Sequence, residues 1–196
     1  MEESYLKSVN HAMKYEVGPF WDERHPACAS GSVKTAAERK ATGYVNDPDD
    51  TGGETKFGVA KNANPDLNIT TLTWDAAKRV YYRKYWLAGN CDDISVFAPK
   101  LAIMHFDSCV NHGIGRAARM LQEAVGATID GDVGPKTLEL VKKACAGSGG
   151  ELAVCDKVAT IRVSFYNAIV ANKPSQKKFL NGWLARISDI RSFVKS

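Results

Sequence analysis

Between residues 44 and 59 the chain reads YVNDPDDTGGETKFGV, and this stretch constrains the fold more than any other. Asp47-Pro48 and Gly52-Gly53 crowd into a few positions, with Tyr44, Val45, Thr55, Phe57 and Val59 on either side. Pro fixes φ, Gly opens it to positive values, and Asp bonds its own backbone, so such residues turn the chain between short extended segments. A small β-hairpin or irregular loop is expected here. Almost everything around it is patterned for helix. Leu6, Val9, Met13 and Val17 recur at helical spacing after Ser4, a plausible N-cap, until Gly18-Pro19 stops the run. Thr73 caps WDAAKRVYYRKYW, Pro99 precedes the apolar LAIMHFDSCVNHG, and Arg116 to Val125 is amphipathic. A Gly-rich connector, GATIDGDVGPKT, carries Pro135 near the start of the next helix. Two more helices are expected around 151–172 and 175–194, separated by Pro174. Residues 20–43 lack a clear period and read as a surface insertion with one short helix in TAAERKAT. The expectation is a mainly α (α+β) protein with one small β element.

Composition narrows the class. With 196 residues, 44% hydrophobic and 24% charged, the chain can bury a substantial core, so disorder is excluded. No run of about 18 apolar residues occurs, so no membrane insertion is expected. The N-terminal MEESYLKSVNHAMKYE shows no apolar signal segment. A net charge of +4 suits weak attraction to an acidic polymer. It does not suit nucleic acid, because no basic stripe interleaves with aromatics. Five cysteines (Cys28, Cys91, Cys109, Cys145, Cys155) are scattered without a C-x-x-C, and the four histidines form no H-E-x-x-H. Reduced thiols in a cytoplasmic protein, and no metal or cofactor, are the expectation. His105 and His112 lie seven apart, two turns on one face, but no third ligand stands at a spacing that would complete a metal site.

Two places can carry acid–base chemistry. Glu16 falls on the side of the first helix that carries Val9 and Met13, and in its last turn. Desolvation and the negative end of the helix dipole both oppose its charge and raise its pKa, as a general acid near neutrality requires. Asp47, Asp49, Asp50 and Glu54 form the second place, with Thr55 close behind. The D-x-D-x-D-G spacing of a calcium loop is absent. A loop carboxylate opposite Glu16 fits glycoside hydrolysis, which sets a protonated acid and an ionised partner across the sugar bond.

At this point the sequence resembles a known family. YVNDPDDTGGETKFGV is similar to the signature region of the glycoside hydrolase family 108 N-acetylmuramidases, lysozyme-like cell-wall enzymes found among phage endolysins. That signature begins with Glu-Gly-Gly-Tyr at the end of the first helix and runs into V-N-D-P-x-D-P-G-G-x-T-x-x-G. Here Ala41-Thr42-Gly43 precede Tyr44, while Glu16-Val17-Gly18 ends the first helix as the family Glu does. Residues 19–42 therefore read as an insertion between the two halves. The rival, Glu38, has no apolar helical stripe leading into it, so Glu16 is preferred. Thr51 stands where the family often has Pro. YYRKYW, FDSCVNHGIGRAARMLQEAVGATIDGDVGPKT and FLNGWLARISDIR resemble later parts of the family, including its peptidoglycan-binding region.

The resemblance implies a lysozyme-like helical fold with a small β-hairpin. It implies a catalytic region over 1–100 (insertion 19–42) and a helical peptidoglycan-binding-like region over 101–196. The activity implied is cleavage of the β-1,4 bond between N-acetylmuramic acid and N-acetylglucosamine. Glu16 would be the acid, with Asp50 and Thr55 facing it; Asp47 and Asp49 are near enough to compete with Asp50. Tyr44, Asn46, Asp47, Tyr85, Trp86, Asp107 and Asn111 are the expected sugar contacts, aromatic faces being suited to pyranose rings. A monomer stored in the host cytoplasm, reaching the cell wall or periplasm through a holin-type partner and lysing the host, completes the expectation. The alternatives are a non-catalytic wall-binding protein and a lytic transglycosylase.

Overall fold

Thr73 caps a helix as its position predicts: its hydroxyl accepts from the Ala76 N–H at 3.3 Å. That helix, α4 (Trp74–Tyr81), continues as a π-helical segment, Tyr82–Leu87. The computed structural model describes residues 2–47 and 52–196. By contact the chain divides into two compact units, Val9–Arg83 and Met1–Ser8 together with Lys84–Ser196.

The Val9–Arg83 unit holds most of α1 (Glu3–Glu16), then α2 (Pro26–Ser30), α3 (Ala36–Thr42), the hairpin and α4. Ser4 lies inside α1, where its carbonyl accepts from the Ser8 hydroxyl, rather than capping it. Val9 and Met13 are fully buried, as their spacing predicts. β1 (Thr55–Lys56) pairs antiparallel with β2 (Val59–Ala60), and Val45 bridges to Thr55. Residues 46–47 and 52–54 flank that bridge without helix or strand; residues 48–51, where the turn residues cluster, lie outside the described residues. The tight turn lies at Phe57-Gly58, both at positive φ (52° and 71°), as a two-residue type I′ connection requires.

Residues 19–42 are mostly exposed, as their lack of period suggests, but single residues anchor them in the core. Trp21 joins Trp74 and Phe57 in an aromatic cluster, with centroids 4.8 and 6.1 Å away, and Ala27, Cys28, Gly31, Ala41 and Thr42 are buried. Two short helices, not one, organise the stretch: His25 caps α2 with Pro26 at its first position, and Thr35 caps α3. Lys56 ties the stretch down from the hairpin. Its buried ammonium donates to the Gly31 and Thr70 carbonyls at 2.6 and 3.0 Å, while burial lowers its pKa to about 8. Periodicity is blind to such packing because it is carried by single residues in loops and in helices too short to show a period.

The second unit is helical. Its centre is α6 (Pro99–His112), whose residues from Leu101 to Cys109 are all buried. Around it pack α5 (Cys91–Ser95), α7 (Ile114–Val125), α9 (Gly150–Asn172) and α10 (Lys177–Phe193), with α8 (Pro135–Ala146) against α9. Trp86 is enclosed by Tyr5 and Phe106, at centroid distances of 5.4 and 5.7 Å. The 126–137 connector is shaped by buried Gln122. Its amide donates to Asp130 and the Asp132 carbonyl, and its oxygen accepts from the Gly131 N–H. Among the described residues the fold is mainly α with one small antiparallel hairpin, and no helix is long and apolar enough to cross a membrane.

Candidate active site

Glu16 is the last residue of α1 and is half-buried. The helix stops there because the Val17 and Gly18 N–H groups both turn back to the Met13 carbonyl, at 2.9 and 3.3 Å, with Gly18 at φ 97°. Two other glycines let neighbouring backbone approach. At Gly43, which ends α3, an added Cβ would lie 3.2 Å from the Val17 Cα. At Gly58 an added Cβ would lie 3.1 Å from the Glu16 Cβ and 3.3 Å from its Oε2, and would collide with the Tyr81 hydroxyl. The Glu16 carboxyl therefore sits against the hairpin turn.

That turn is held from several sides. Phe57 takes a positive φ that bulky residues rarely adopt, so its surroundings must fix it. Its N–H donates to the Thr42 carbonyl at 2.8 Å, its carbonyl accepts from the Tyr81 hydroxyl at 3.0 Å, and its ring packs on Trp21 and Trp74. Gly58→Ala is accordingly expected to lower both stability and activity. Strain at φ 71° costs on the order of 1–3 kcal/mol, and the new methyl displaces Tyr81 or Glu16. Thermal unfolding and wall-clearing assays of that variant check this.

On the hairpin, Thr55 exchanges backbone hydrogen bonds with Val45 at 2.8 and 2.9 Å, and its hydroxyl donates to the Gly53 carbonyl at 3.1 Å. The oxygen keeps lone pairs with which to accept a further hydrogen bond. Tyr44 donates to Glu54 at 2.8 Å, and Thr70 donates to the same carboxylate oxygen at 2.5 Å. Burial, then the bond to Glu54, raises the Tyr44 pKa, so its hydroxyl stays protonated. Asn46 and Asp47 are exposed on the rim of this loop. Asp50 and Asp49 lie outside the described residues.

The rival acid is committed elsewhere. Glu38 completes a capping box: it accepts from the Thr35 N–H at 2.7 Å, while its own N–H donates to the Thr35 hydroxyl at 3.2 Å. The Thr35 backbone bond holds its pKa low, so Glu38 is ionised rather than a proton donor.

Two expected sugar contacts have no face to offer, and a third, half-buried Asn111, is engaged within the protein. Trp86 is fully buried, and so is Asp107, which accepts from Arg162 at 2.7 Å and from Arg186 at 2.9 and 3.0 Å. Asn111 accepts from Tyr166 at 2.6 Å and Arg162 at 3.3 Å. These residues knit α6 to α9 and α10, since a carboxylate can be buried when two guanidiniums neutralise and bond it. His112 belongs to the same network: its Nε2 accepts from Arg162 at 3.1 Å, and burial first, then Arg162, lowers its pKa to about 3. Tyr85 is half-buried in the π-helical segment. Sequence reasoning missed Gly58 and Tyr81. The positive φ at Phe57 leaves no compositional signal, and Tyr81 reads as one aromatic among several on a helix.

A carboxylic acid at the C-terminal end of a helix, seated on a β-hairpin turn, is the arrangement the family resemblance leads one to expect of a lysozyme-type glycoside hydrolase. Residues 37–113 match the family described as Glycosyl hydrolase 108, and residues 116–188 match a Predicted Peptidoglycan domain. The chain thus carries a glycosyl hydrolase 108 domain followed by that predicted peptidoglycan domain. The solved structure of Brucella abortus SagA is similar, with a TM-score of 0.61 and 26% identity over 77% of this chain and 84% of that one. No curated protein matches the sequence at a significant level. The lysozyme-like fold and a peptidoglycan hydrolase of the muramidase class are thereby established. The family match begins downstream of Glu16, so the place of Glu16 rests on the geometry above.

Proposed function

We propose that Glu16 is the general acid that protonates the glycosidic oxygen between N-acetylmuramic acid and N-acetylglucosamine. The observation that carries this reading is its carboxyl at the end of α1, half-buried and pressed on Gly58 beside the hairpin. Partial burial and the negative end of the helix dipole favour the neutral acid that donation requires. The C–O bond then breaks with its electron pair on the leaving sugar, which takes the Glu16 proton; water adds at the anomeric carbon and gives up a proton to a carboxylate of the site. Asp50 stabilises the positive charge developing there or orients the water, and Thr55 helps hold that water. Tyr44, Asn46, Asp47 and Tyr85 contact the sugars. Purified sacculi exposed to the wild type and to Glu16→Gln test the assignment. Loss of clearing by a folded variant supports it, and undiminished clearing removes Glu16 from the role.

The same reading extends to biology. The chain acts as a monomeric phage endolysin, held in the host cytoplasm and brought to the wall when a holin-type partner opens the membrane, so that the host lyses. Five free thiols, four of them buried, suit a reducing store, and the +4 charge suits an acidic wall polymer. Fractionation of producing cells tests this: enzyme confined to the cytoplasm until the membrane is breached supports it, and an earlier periplasmic pool contradicts it.

A further inference from the structure

Three donors that the sequence keeps apart meet inside the helical unit. Cys91 opens α5, while His105 and Cys109 are four residues apart on α6 and so share a face. All three are buried, and one donor atom from each lies within 4.8 Å of the others. His105 Nε2 is 3.7 Å from the Cys109 Sγ and 3.0 Å from the Gly89 carbonyl oxygen, which is 4.0 Å from the Cys91 Sγ.

The surroundings are shaped to this cluster. A Cβ at residue 89 would lie 2.8 Å from the Cys109 sulfur, 3.4 Å from the Cys91 sulfur and 2.6 Å from the Tyr85 carbonyl. Only glycine fits there. His105 Nδ1 is buried without a hydrogen-bond partner, while Nε2 is the ring nitrogen turned to the Gly89 carbonyl and the Cys109 sulfur.

We propose that Cys91, His105 and Cys109 bind a zinc-class divalent cation, with the Gly89 carbonyl as fourth donor. Zinc bonds of about 2.3 Å to sulfur and 2.0–2.1 Å to nitrogen, set at the tetrahedral angle, place nitrogen and sulfur about 3.6 Å apart. The observed 3.7 Å between His105 and Cys109 matches that edge. Two thiolates and a neutral imidazole balance the 2+ charge, so the loaded site carries no net charge into the core. Each thiol releases its proton on binding. Thiolate and imidazole donors select zinc over magnesium or calcium, which prefer oxygen. Four protein donors close the shell, which makes the site structural: it fastens α5 to α6.

Cobalt titration of the reduced full-length chain is the test, with metal content measured on protein purified from zinc-replete cultures. The expected result is one ion per chain, a thiolate-to-cobalt charge-transfer band displaced by zinc, and a higher Tm with zinc than without. The band is lost in Cys91→Ser and Cys109→Ser and kept in Cys145→Ser. A folded, reduced wild type with no such band overturns the proposal without recourse to any variant. So does a band that survives in the Cys91→Ser, Cys109→Ser double variant, or peptide mapping that finds Cys91 bonded to Cys109 in the isolated protein.

Discussion

Glu16→Gln is expected to lower turnover on peptidoglycan by about 10²–10⁴-fold, the range a positioned general acid supplies, while Tm stays near the wild-type value. Gln keeps the shape of the side chain and hence its seat on Gly58, but has no proton to give to the leaving oxygen. Glu38→Gln is the control. It weakens one arm of a capping box on an exposed helix end, lowers stability slightly, and leaves turnover unchanged. Steady-state rates on sacculi, with thermal unfolding of both variants, separate the two carboxyls.

Asp107→Ala is expected to destabilise the helical unit by about 3–5 kcal/mol, because it leaves two buried guanidiniums without their counter-charge. Against a typical stability of about 5–15 kcal/mol, such a loss brings the chain close to unfolding. The same carboxylate gives an acid limit. Burial alone would raise its pKa, but Arg162 and Arg186 outweigh burial and hold it below the usual carboxylate value. Its folded pKa therefore lies under the unfolded value of about 3.9, and the triad's stabilisation is present in full above that pH. It is lost as pH falls through the lowered folded value. Urea denaturation at neutral pH and at decreasing acid pH, on wild type and Asp107→Ala, measures both effects; the variant is expected to lose this acid dependence.

The sequence made the helices legible because Val9 and Met13, Thr73, Pro99 and Pro135 act through local rules of spacing, capping and φ. The place of Glu16 was legible for the same reason, since a carboxyl near an apolar stripe in the last turn is itself a local pattern. What escaped depends on partners remote in sequence. Asp107 reads as polar and available until Arg162 and Arg186 arrive from other helices. Trp86 reads as a sugar platform until Tyr5 and Phe106 enclose it. Residues 19–42 read as surface until Trp21 and Lys56 anchor them. His105 pairs by spacing with His112, yet lies beside Cys109 and Cys91, while His112 faces Arg162. The turn that seats Glu16 could not be read at all, because Phe57 at positive φ is held by tertiary contacts rather than by its own preference.

Mass spectrometry of the soluble fragments released from peptidoglycan by the wild type and by Glu16→Gln tests the account most directly. The wild type should release fragments ending in a reducing N-acetylmuramic acid, and the variant should release almost none. Fragments ending in 1,6-anhydro-muramic acid or in reducing N-acetylglucosamine, or equal release by the two proteins, would contradict it.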